Sequence, residues 1–277
     1  MRPAEVVRRG AGYLEHHGVE SPGANAERLM LAVLGTDRTG LLGRIEGLSA
    51  AEAKAYGRAL CRRCTGTPLQ HLTGEEGFRH LVLRVRAGVF IPRPETEVLV
   101  DVALETLVHA REPAVADVGT GTGAIALSIA LEHPGARVWA TDAATEAVAL
   151  ASENVAALGL GVTVLYGDLL APLPAYLRGT LDLVVSNPPY VSEERATDLP
   201  ADVLADPHGA LFGGPEVYRR LFVQAAEWLR PEGHIVVEIE EEAGPTVREI
   251  ALGAGFADVS VVADLAGRPR VVRGRRA

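Results

Sequence analysis

From Pro113 onward, short apolar runs alternate with segments of helical period, and this alternation limits the folds open to the chain. Buried strands are predicted from length and β-branched content at 114–118, 137–141, 162–166, 181–186 and 234–239. Helical spacing is found at 123–132, 144–158, 215–229 and 245–253. Strands that alternate with helices are typical of a parallel sheet covered on both faces. We therefore predict an α/β fold with a doubly wound, mostly parallel sheet, and an edge hairpin formed by 258–263 and 270–273.

The preceding part of the chain has a different pattern. Residues 1–72 show helical spacing broken by Gly and Pro, and Ser49 with Glu52 matches a capping box that opens a helix at 50–64. Gly35 fits a helix end. Between 73 and 90 the apolar period becomes two, which predicts a β-hairpin. We predict a helical-bundle domain over 1–72, a hairpin and proline-rich linker over 73–94, and the larger α/β domain over 95–277.

Charge is distributed unevenly along the 277 residues, whose formal net charge is −9. Residues 1–90 carry 13 basic and 9 acidic side chains, and residues 91–277 carry 14 and 27. Such an acidic larger part disfavours a nucleic-acid enzyme, because phosphate binding is mostly electrostatic. The chain begins without an apolar leader and has no run of 18 apolar residues. We therefore expect a cytoplasmic protein that does not associate with a membrane.

Cysteine and lysine content narrows the chemistry further. Cys61 and Cys64 are the only cysteines, and they lack the second ligand pair that a zinc site needs, so we expect no metal and no disulfide framework, with a redox or metal role of this pair as the alternative. A phosphate-binding P-loop is excluded because Lys54 is the only lysine.

A glycine-rich loop follows the first strand of the α/β region. Gly119, Gly121 and Gly123 allow the backbone to approach a ligand closely and to donate N–H groups to it. Asp142 ends the next strand, 21 residues after Gly121, where a carboxylate can accept both hydroxyls of a ribose. Asp168 ends the third strand. This arrangement predicts a nucleoside cofactor, and the loop by itself leaves a nicotinamide dehydrogenase open.

The sequence Asn187-Pro188-Pro189-Tyr190, which we call the acceptor turn, directly follows the predicted strand 181–186. Two prolines forbid continuation of a strand or helix, so the chain must turn at the carboxyl end of the sheet, where open α/β sheets bind ligands. The carbonyls of Asn187 and Pro188, the Asn187 side chain and the flat ring of Tyr190 suit a planar –NH2 group. With the strand-end acids, this turn favours S-adenosylmethionine over a nicotinamide.

Taken together, these stretches resemble the release factor glutamine methyltransferase family, whose members have a class I methyltransferase, Rossmann-like fold. The resemblance rests on 91–97, 117–123, 186–190 and 264–270 and extends over nearly the whole chain. It implies methyl transfer from S-adenosylmethionine to the side-chain amide nitrogen of the glutamine in the Gly-Gly-Gln motif of peptide chain release factors. Release factors are thus the expected partners, with no direct nucleic-acid partner, and we expect a monomer.

The resemblance also implies roles for individual residues. The glycine loop, Asp142, Asp168 and Leu169 would bind the cofactor, the acceptor turn would bind and orient the glutamine amide, Arg93 would contact the substrate, and the domain over 1–72 would help dock it. By role, the expected residues are, for catalysis, Asn187, Pro188 and Tyr190; for the cofactor, Gly119, Thr120, Gly121, Thr122, Gly123, Asp142, Asp168, Leu169 and Asn187; for the substrate, Arg93, Asn187, Pro188, Pro189 and Tyr190.

The sequence departs from the family pattern at three places, and other functions are compatible with the same motifs. Leu169 stands where the family often has an aromatic residue, the segment 213–218 is shorter than usual, and Glu240 replaces a usual glycine. An adenine N6-methyltransferase acting on RNA or DNA would use the same acceptor turn, and a non-catalytic binding protein would keep the cofactor loop. Residues 191–214, rich in Glu, Asp, Pro and Gly, are interpreted as a lid or substrate loop, with a surface insertion as the alternative.

Overall fold

The structure, a computed structural model, describes residues 2–198 and 203–277. The described chain divides into two compact units. The smaller unit contains the residues up to Glu75 together with 203–205, and the larger contains 76–198 and 206–277. Each unit has its own apolar core.

The smaller unit is helical. Its helices are α1 (Pro3–His16), α2 (Pro22–Leu34), α3 (Arg38–Gly43), α4 (Ala50–Cys64) and α5 (Leu69–Thr73). Leu14, Leu29, Met30 and Tyr56 are buried together at its centre. The predicted capping box is present at α4, where the Glu52 N–H donates to Ser49 Oγ and the Ser49 N–H donates to the Glu52 carboxylate. Gly35 ends α2 in the left-handed conformation, which a residue without Cβ adopts easily.

A short hairpin follows, β1 (Glu75–Phe78) and β2 (Leu81–Arg84), and all of it except Glu75 belongs to the larger unit. A 3₁₀ turn, Pro94–Thr96, then leads directly into α6 (Glu97–Leu107). The remaining strands are β3 (Ala114–Val118), β4 (Arg137–Asp142), β5 (Val162–Tyr166), β6 (Leu181–Ser186), β7 (Leu229–Glu238), β8 (Phe256–Ala263) and β9 (Pro269–Arg276). Helices between them are α7 (Ala124–Glu132), α8 (Thr145–Leu158), α9 (His208–Leu211), α10 (Pro215–Trp228) and α11 (Gly244–Gly253).

Seven of these strands form one sheet in the order β5-β4-β3-β6-β7-β9-β8. The pairs from β5 to β7 are parallel, and β9 is antiparallel to both β7 and β8. The predicted doubly wound, mostly parallel sheet is confirmed. The predicted final hairpin is also present at the sheet edge: β9 pairs with β7, and β8 is the outermost strand.

Side chains alternate between two apolar layers, one on each face of the sheet. Along β6, Val184 faces the layer that contains α10 and α11, whereas its neighbours Leu183 and Val185 face the layer with α6, α7 and α8. This alternation follows from the two-residue period of a strand. Burial on both faces requires a nearly continuous apolar run, which explains why β3 and β6 were predicted with the bounds that the structure has.

The segment predicted as a lid or substrate loop is only partly described. It contains a 3₁₀ turn at Glu193–Asp198 and the short helix α9, while 199–202 lie outside the described residues. Val191 and Phe212 form an isolated bridge, so the two ends of the segment meet next to the acceptor turn. Across 2–198 and 203–277, no helix combines the length and apolarity that a bilayer crossing requires.

Candidate active site

The candidate site lies at the carboxyl ends of β3, β4 and β6. The chain passes from β3 outward through β4 and β5, and then returns to place β6 on the other side of β3. Neighbouring loops on the two sides of this reversal diverge and leave a crevice, which is the usual ligand site of such sheets. The glycine loop after β3 and the acceptor turn after β6 therefore lie next to each other.

The glycine loop adopts a conformation that favours glycine. Gly119, Gly121 and Gly123 have φ of 74°, 57° and 86°, values in the left-handed region. A Cβ placed on Gly119 would come within 4.0 Å of the Asn187 carbonyl oxygen, and one on Gly121 would meet nothing within 4 Å. The loop is thus open above Gly121 and close to the acceptor turn at Gly119.

The N–H groups of this loop are mostly used within the protein. Gly119 and Thr120 donate to the Thr141 carbonyl at 2.8 and 3.0 Å, Gly123 donates to Thr120 O, and Gly121 donates to Asp142 Oδ2 at 2.9 Å. The expectation that these N–H groups face a ligand is wrong for these four residues, because β4, the Asp142 side chain and the loop's own Thr120 carbonyl already accept them. What the loop offers a ligand is close approach of its backbone.

Asp117, at the end of β3, holds the loop against α7. Its Oδ2 accepts from the Thr120 hydroxyl at 2.6 Å and from the Ala126 N–H at 3.1 Å. Oδ1 is buried and has no hydrogen-bond partner among the described residues. Complete burial raises the pKa of this carboxyl to about 7, against the opposing effect of its two hydrogen bonds. Asp117 was part of the sequence motif but was not assigned to the site.

Asp142 is fixed at the edge of β4 by two backbone donors. Oδ2 accepts from Gly121 N–H and Oδ1 from Ala144 N–H, each at 2.9 Å. Burial raises the pKa of Asp142, and these N–H groups oppose the shift. Since each carboxylate oxygen can accept more than one hydrogen bond, the side chain retains the capacity to accept a ribose diol. The open glycine loop and this oriented acid fit a nucleoside cofactor.

Asp168 and Leu169 lie one strand farther out, after β5. Asp168 forms an ion pair with Arg220 of α10. Leu169 has φ of 47°, an uncommon value for a bulky residue, and packs against the core layer that contains α10. The role of these two residues at an adenine ring stays a prediction.

The acceptor turn is held by contacts from three directions. Asn187 Nδ2 donates to Thr96 Oγ1 at 3.2 Å, which leaves Asn187 Oδ1 as the end of the amide available to a ligand. Pro188 is buried, and the Pro189 carbonyl lies against Gly213. The Tyr190 hydroxyl donates to Glu238 Oε1 at 3.3 Å. Burial raises the pKa of Tyr190 above its usual range, so the phenol stays protonated as a donor.

Arg93 is bound within the larger unit. Its guanidinium pairs with the buried carboxylate of Asp206 and lies 5.3 Å from the centre of the Phe90 ring. Asp206 also accepts from the Ile91 N–H at 3.1 Å. The expected contact between Arg93 and the substrate stays a prediction.

Sequence reasoning missed three residues that support this site: Thr96, Asp206 and Glu238. Glu238 is 2% exposed, and burial raises its pKa to about 7. A charged residue inside the apolar run 234–239 was the available signal for Glu238. Within the described residues, no group of three or more His, Cys, Asp or Glu side chains is placed to hold a metal ion.

Comparison with known proteins identifies the family. Residues 82–267 match the family model described as methyltransferase small domain, and residues 5–74 match the model described as PrmC N-terminal domain. A release factor glutamine methyltransferase from Moorella thermoacetica is 44% identical, over 96% of this chain and 94% of the relative. One from Deinococcus radiodurans is 42% identical, over 100% and 99%.

Solved structures agree on the fold. The ribosomal protein L11 methylase of Lactobacillus delbrueckii subsp. bulgaricus has a TM-score of 0.50 and 24% identity, covering 70% of this chain and 86% of its own. The catalytic domain of hMettl16, solved with an RNA hairpin, has a TM-score of 0.57 and 15% identity, covering 82% and 81%. These likenesses show a methyltransferase fold. The relatives that match over nearly the full length show the family: the chain belongs to the release factor glutamine methyltransferase family.

Proposed function

We propose that this protein transfers a methyl group from S-adenosylmethionine to the side-chain amide nitrogen of the glutamine in the Gly-Gly-Gln motif of peptide chain release factors. The observation that carries the proposal is the position of the acceptor turn against the glycine loop, where the Asn187 carbonyl lies beside Gly119. A group held by the turn is thereby adjacent to a group held by the loop. Family membership supports the identity of the two groups: the glutamine amide at the turn and S-adenosylmethionine at the loop.

The glycine loop and Asp142 would hold the cofactor, with Asp168 and Leu169 beside its adenine. When bound, S-adenosylmethionine supplies an electrophilic methyl group on a sulfonium. Gly119 and Gly121 leave room for close approach, and the carboxylate of Asp142 is already oriented by two N–H groups. Little conformational entropy is therefore lost when the cofactor binds to this part of the site.

The acceptor turn would position the nucleophile. An amide nitrogen is a poor nucleophile because its lone pair is delocalised into the carbonyl. Acceptance of the two amide hydrogens by Asn187 Oδ1 and the Pro188 carbonyl increases electron density on that nitrogen and fixes its direction. The Tyr190 ring packs beside it. Positioning of this kind lowers a barrier by up to roughly 7–11 kcal/mol in the best intramolecular cases.

The smaller unit is proposed to help dock the release factor, and the domain over 1–72 is proposed as its extent. Leu42 and Ile45 are 73% and 78% exposed in this unit, and apolar side chains displayed in this way suit a protein partner. The proposed substrate acts in translation, which places the enzyme in the cytoplasm. We propose that it acts as a monomer.

The test is labelled methyl transfer from S-adenosylmethionine to a purified release factor, with the Gln→Ala variant at Gly-Gly-Gln as the matched control. Transfer to the first protein only is the expected result. Adenine-containing RNA and DNA form a second arm, because an adenine N6-methyltransferase would use the same turn. Transfer to a nucleic acid, with none to the release factor, would overturn the proposal.

A further inference from the structure

Glu238 occupies an unusual position at the end of β7. It is 2% exposed, yet within the described chain its carboxyl accepts from the Tyr190 hydroxyl, has Thr96 as a neighbouring polar side chain and forms no ion pair. Its Oε2 has no partner among the described residues. A buried carboxyl with an unsatisfied oxygen destabilises a fold, so this side chain is not explained by stability.

Both of these neighbours of Glu238 lead to the acceptor turn. Tyr190, at the end of the turn, donates directly to Oε1 at 3.3 Å. Thr96 lowers the pKa of Glu238 as a neighbouring side-chain donor, and its Oγ1 accepts from Asn187 Nδ2 at 3.2 Å. The carboxyl thus connects the first and the last residue of the turn, although it lies about 50 residues from either in sequence.

The charge state of Glu238 decides the direction of these hydrogen bonds. A carboxylate only accepts, so Thr96 must give it its single hydroxyl proton. Thr96 Oγ1 is then an acceptor for Asn187, which must present Nδ2 to Thr96 and keep Oδ1 free. A protonated Glu238 can instead donate to Thr96, and the released Thr96 proton can go to Asn187 Oδ1. Asn187 would then present N–H groups to a substrate –NH2.

We propose that Glu238 is a positioning residue for the acceptor turn: as a carboxylate it orients Asn187 through Thr96, so that Oδ1 faces the substrate amide, and it holds Tyr190 beside it. This inference rests on the proposed function, because it requires that the substrate group at the turn is an amide –NH2 that donates hydrogen bonds. Glu238 itself need not touch the substrate.

The surroundings of Glu238 place this equilibrium near neutral pH. Burial raises the pKa of the carboxyl to about 7, and Glu95 of the 3₁₀ turn acts in the same direction. Thr96, Arg270 of β9 and Tyr190 oppose the shift. Tyr218 of α10 donates to the Glu238 backbone carbonyl at 2.9 Å, and burial keeps it protonated. Loss of the Glu238 proton above pH 7 would establish the productive orientation of Asn187.

Kinetics test the inference. We expect wild-type kcat, measured on a release factor between pH 6 and 9, to rise through about pH 7. Glu238→Gln should lower kcat at pH 8 by about 10-fold or more and abolish the rise, while the Kd of S-adenosylmethionine changes less than about 2-fold. Glu105→Gln, which alters a carboxylate whose side chain is 68% exposed, is the matched control and should behave as wild type.

A second pair of variants guards against misfolding of Glu238→Gln. Thr96→Val keeps the shape of the side chain but removes the hydroxyl, and should lower kcat like Glu238→Gln. Thr96→Ser returns the hydroxyl and should restore most of the loss. Equal activity of the Val and Ser variants, or a wild-type pH profile in Glu238→Gln, would overturn the inference and leave the proposed function intact.

Nuclear magnetic resonance provides a readout that does not depend on turnover. In the free wild-type protein, the Asn187 side-chain –NH2 signal should shift with an apparent pKa near 7, and this titration should vanish in Glu238→Gln. An Asn187 signal that does not titrate in the wild type would overturn the inference even if no methyl transfer to release factors were found. Failure of the proposed function and failure of this inference are thereby separated.

Discussion

Asn187 has one end of its amide bound by the protein and the other end available, and this difference determines what its replacement should cost. Asn187→Ala removes the Oδ1 acceptor but leaves the glycine loop and Asp142 in place. We expect kcat to fall about 10- to 100-fold, because one or two hydrogen bonds to a reacting group contribute roughly 1.5–3 kcal/mol. The Kd of S-adenosylmethionine, measured by calorimetry, should change much less. Unchanged turnover would contradict the assigned role.

Individual site residues differ in how far sequence could predict them. Asp142 and Asn187 were placed at the crevice because each directly follows a predicted strand, so only the strand had to be located. Thr96, Asp206 and Glu238 gain their roles from partners far along the chain: Arg93 and Asp206 are 113 positions apart. No local pattern encodes such a pairing. The use of the loop N–H groups inside the sheet was likewise visible only in three dimensions.

At the scale of elements, the acceptor turn depends on the segment that returns to it after α9. Val191 N–H donates to Leu211 O, and Gly213 N–H donates to Val191 O at 3.1 Å. A Cβ on Gly213 would lie 2.1 Å from the Pro189 carbonyl oxygen, a backbone atom that cannot rotate away. This close approach requires glycine at position 213.

Gly213→Ala should therefore displace the acceptor turn. We expect a loss in kcat of about 10-fold or more, because small misplacements of a positioning group have large effects on rate. The matched control is Gly209→Ala in α9, where an added Cβ meets nothing within 4 Å. Methyl-transfer kinetics on both variants provide the measurement. Similar activity of the two would show that the turn tolerates the displacement.

The capping box of α4 gives a prediction for the smaller unit. Ser49→Ala removes the acceptor for the Glu52 N–H, and such losses cost about 1 kcal/mol of stability. Chemical denaturation should show this change in the free energy of unfolding. Ser152→Ala is the control, because the Ser152 hydroxyl bonds back to a carbonyl of its own helix, α8, and leaves no N–H unsatisfied.

Elements were predicted best where one local requirement determines them. Buried parallel strands need continuous apolar runs, and α4 needs its cap, so their bounds agree with the structure. The start of β7 at Leu229 was missed, because Arg230 to Gly233 carry no apolar pattern and the strand there is irregular. The place of β9 between β7 and β8 depends on pairing across the whole sheet, which the order of residues does not reveal.

For the whole molecule, two buried acids link stability to pH. Asp117 and Glu238 each have a pKa raised by burial to about 7. A carboxyl with a higher pKa when folded binds its proton more tightly in the native state. Its stabilising effect is complete below the unfolded pKa near 4 and is lost as the pH rises through about 7.

We therefore expect the free energy of unfolding to decrease between pH 5 and 8. Each unit of pKa corresponds to about 1.4 kcal/mol, so the combined decrease should be a few kcal/mol. Denaturant titrations at several pH values provide the measurement. The double variant Asp117→Asn, Glu238→Gln should lose most of the slope, whereas Glu105→Gln should keep it. A wild-type slope in the double variant would assign the effect to other groups.

The position of β9 has a consequence for the chain while it is being synthesised. β7 ends at Glu238 and its neighbour β9 begins only at Pro269. At translation speeds of about 5–20 residues per second, this interval takes roughly 2–6 s. During that time one edge of β7, with its apolar Ile235, Val236 and Val237, lacks the strand that covers it. Unpaired strand edges promote association between chains. Slow translation across 239–268 should therefore favour aggregation of the nascent protein. Added chaperones should reduce this aggregation.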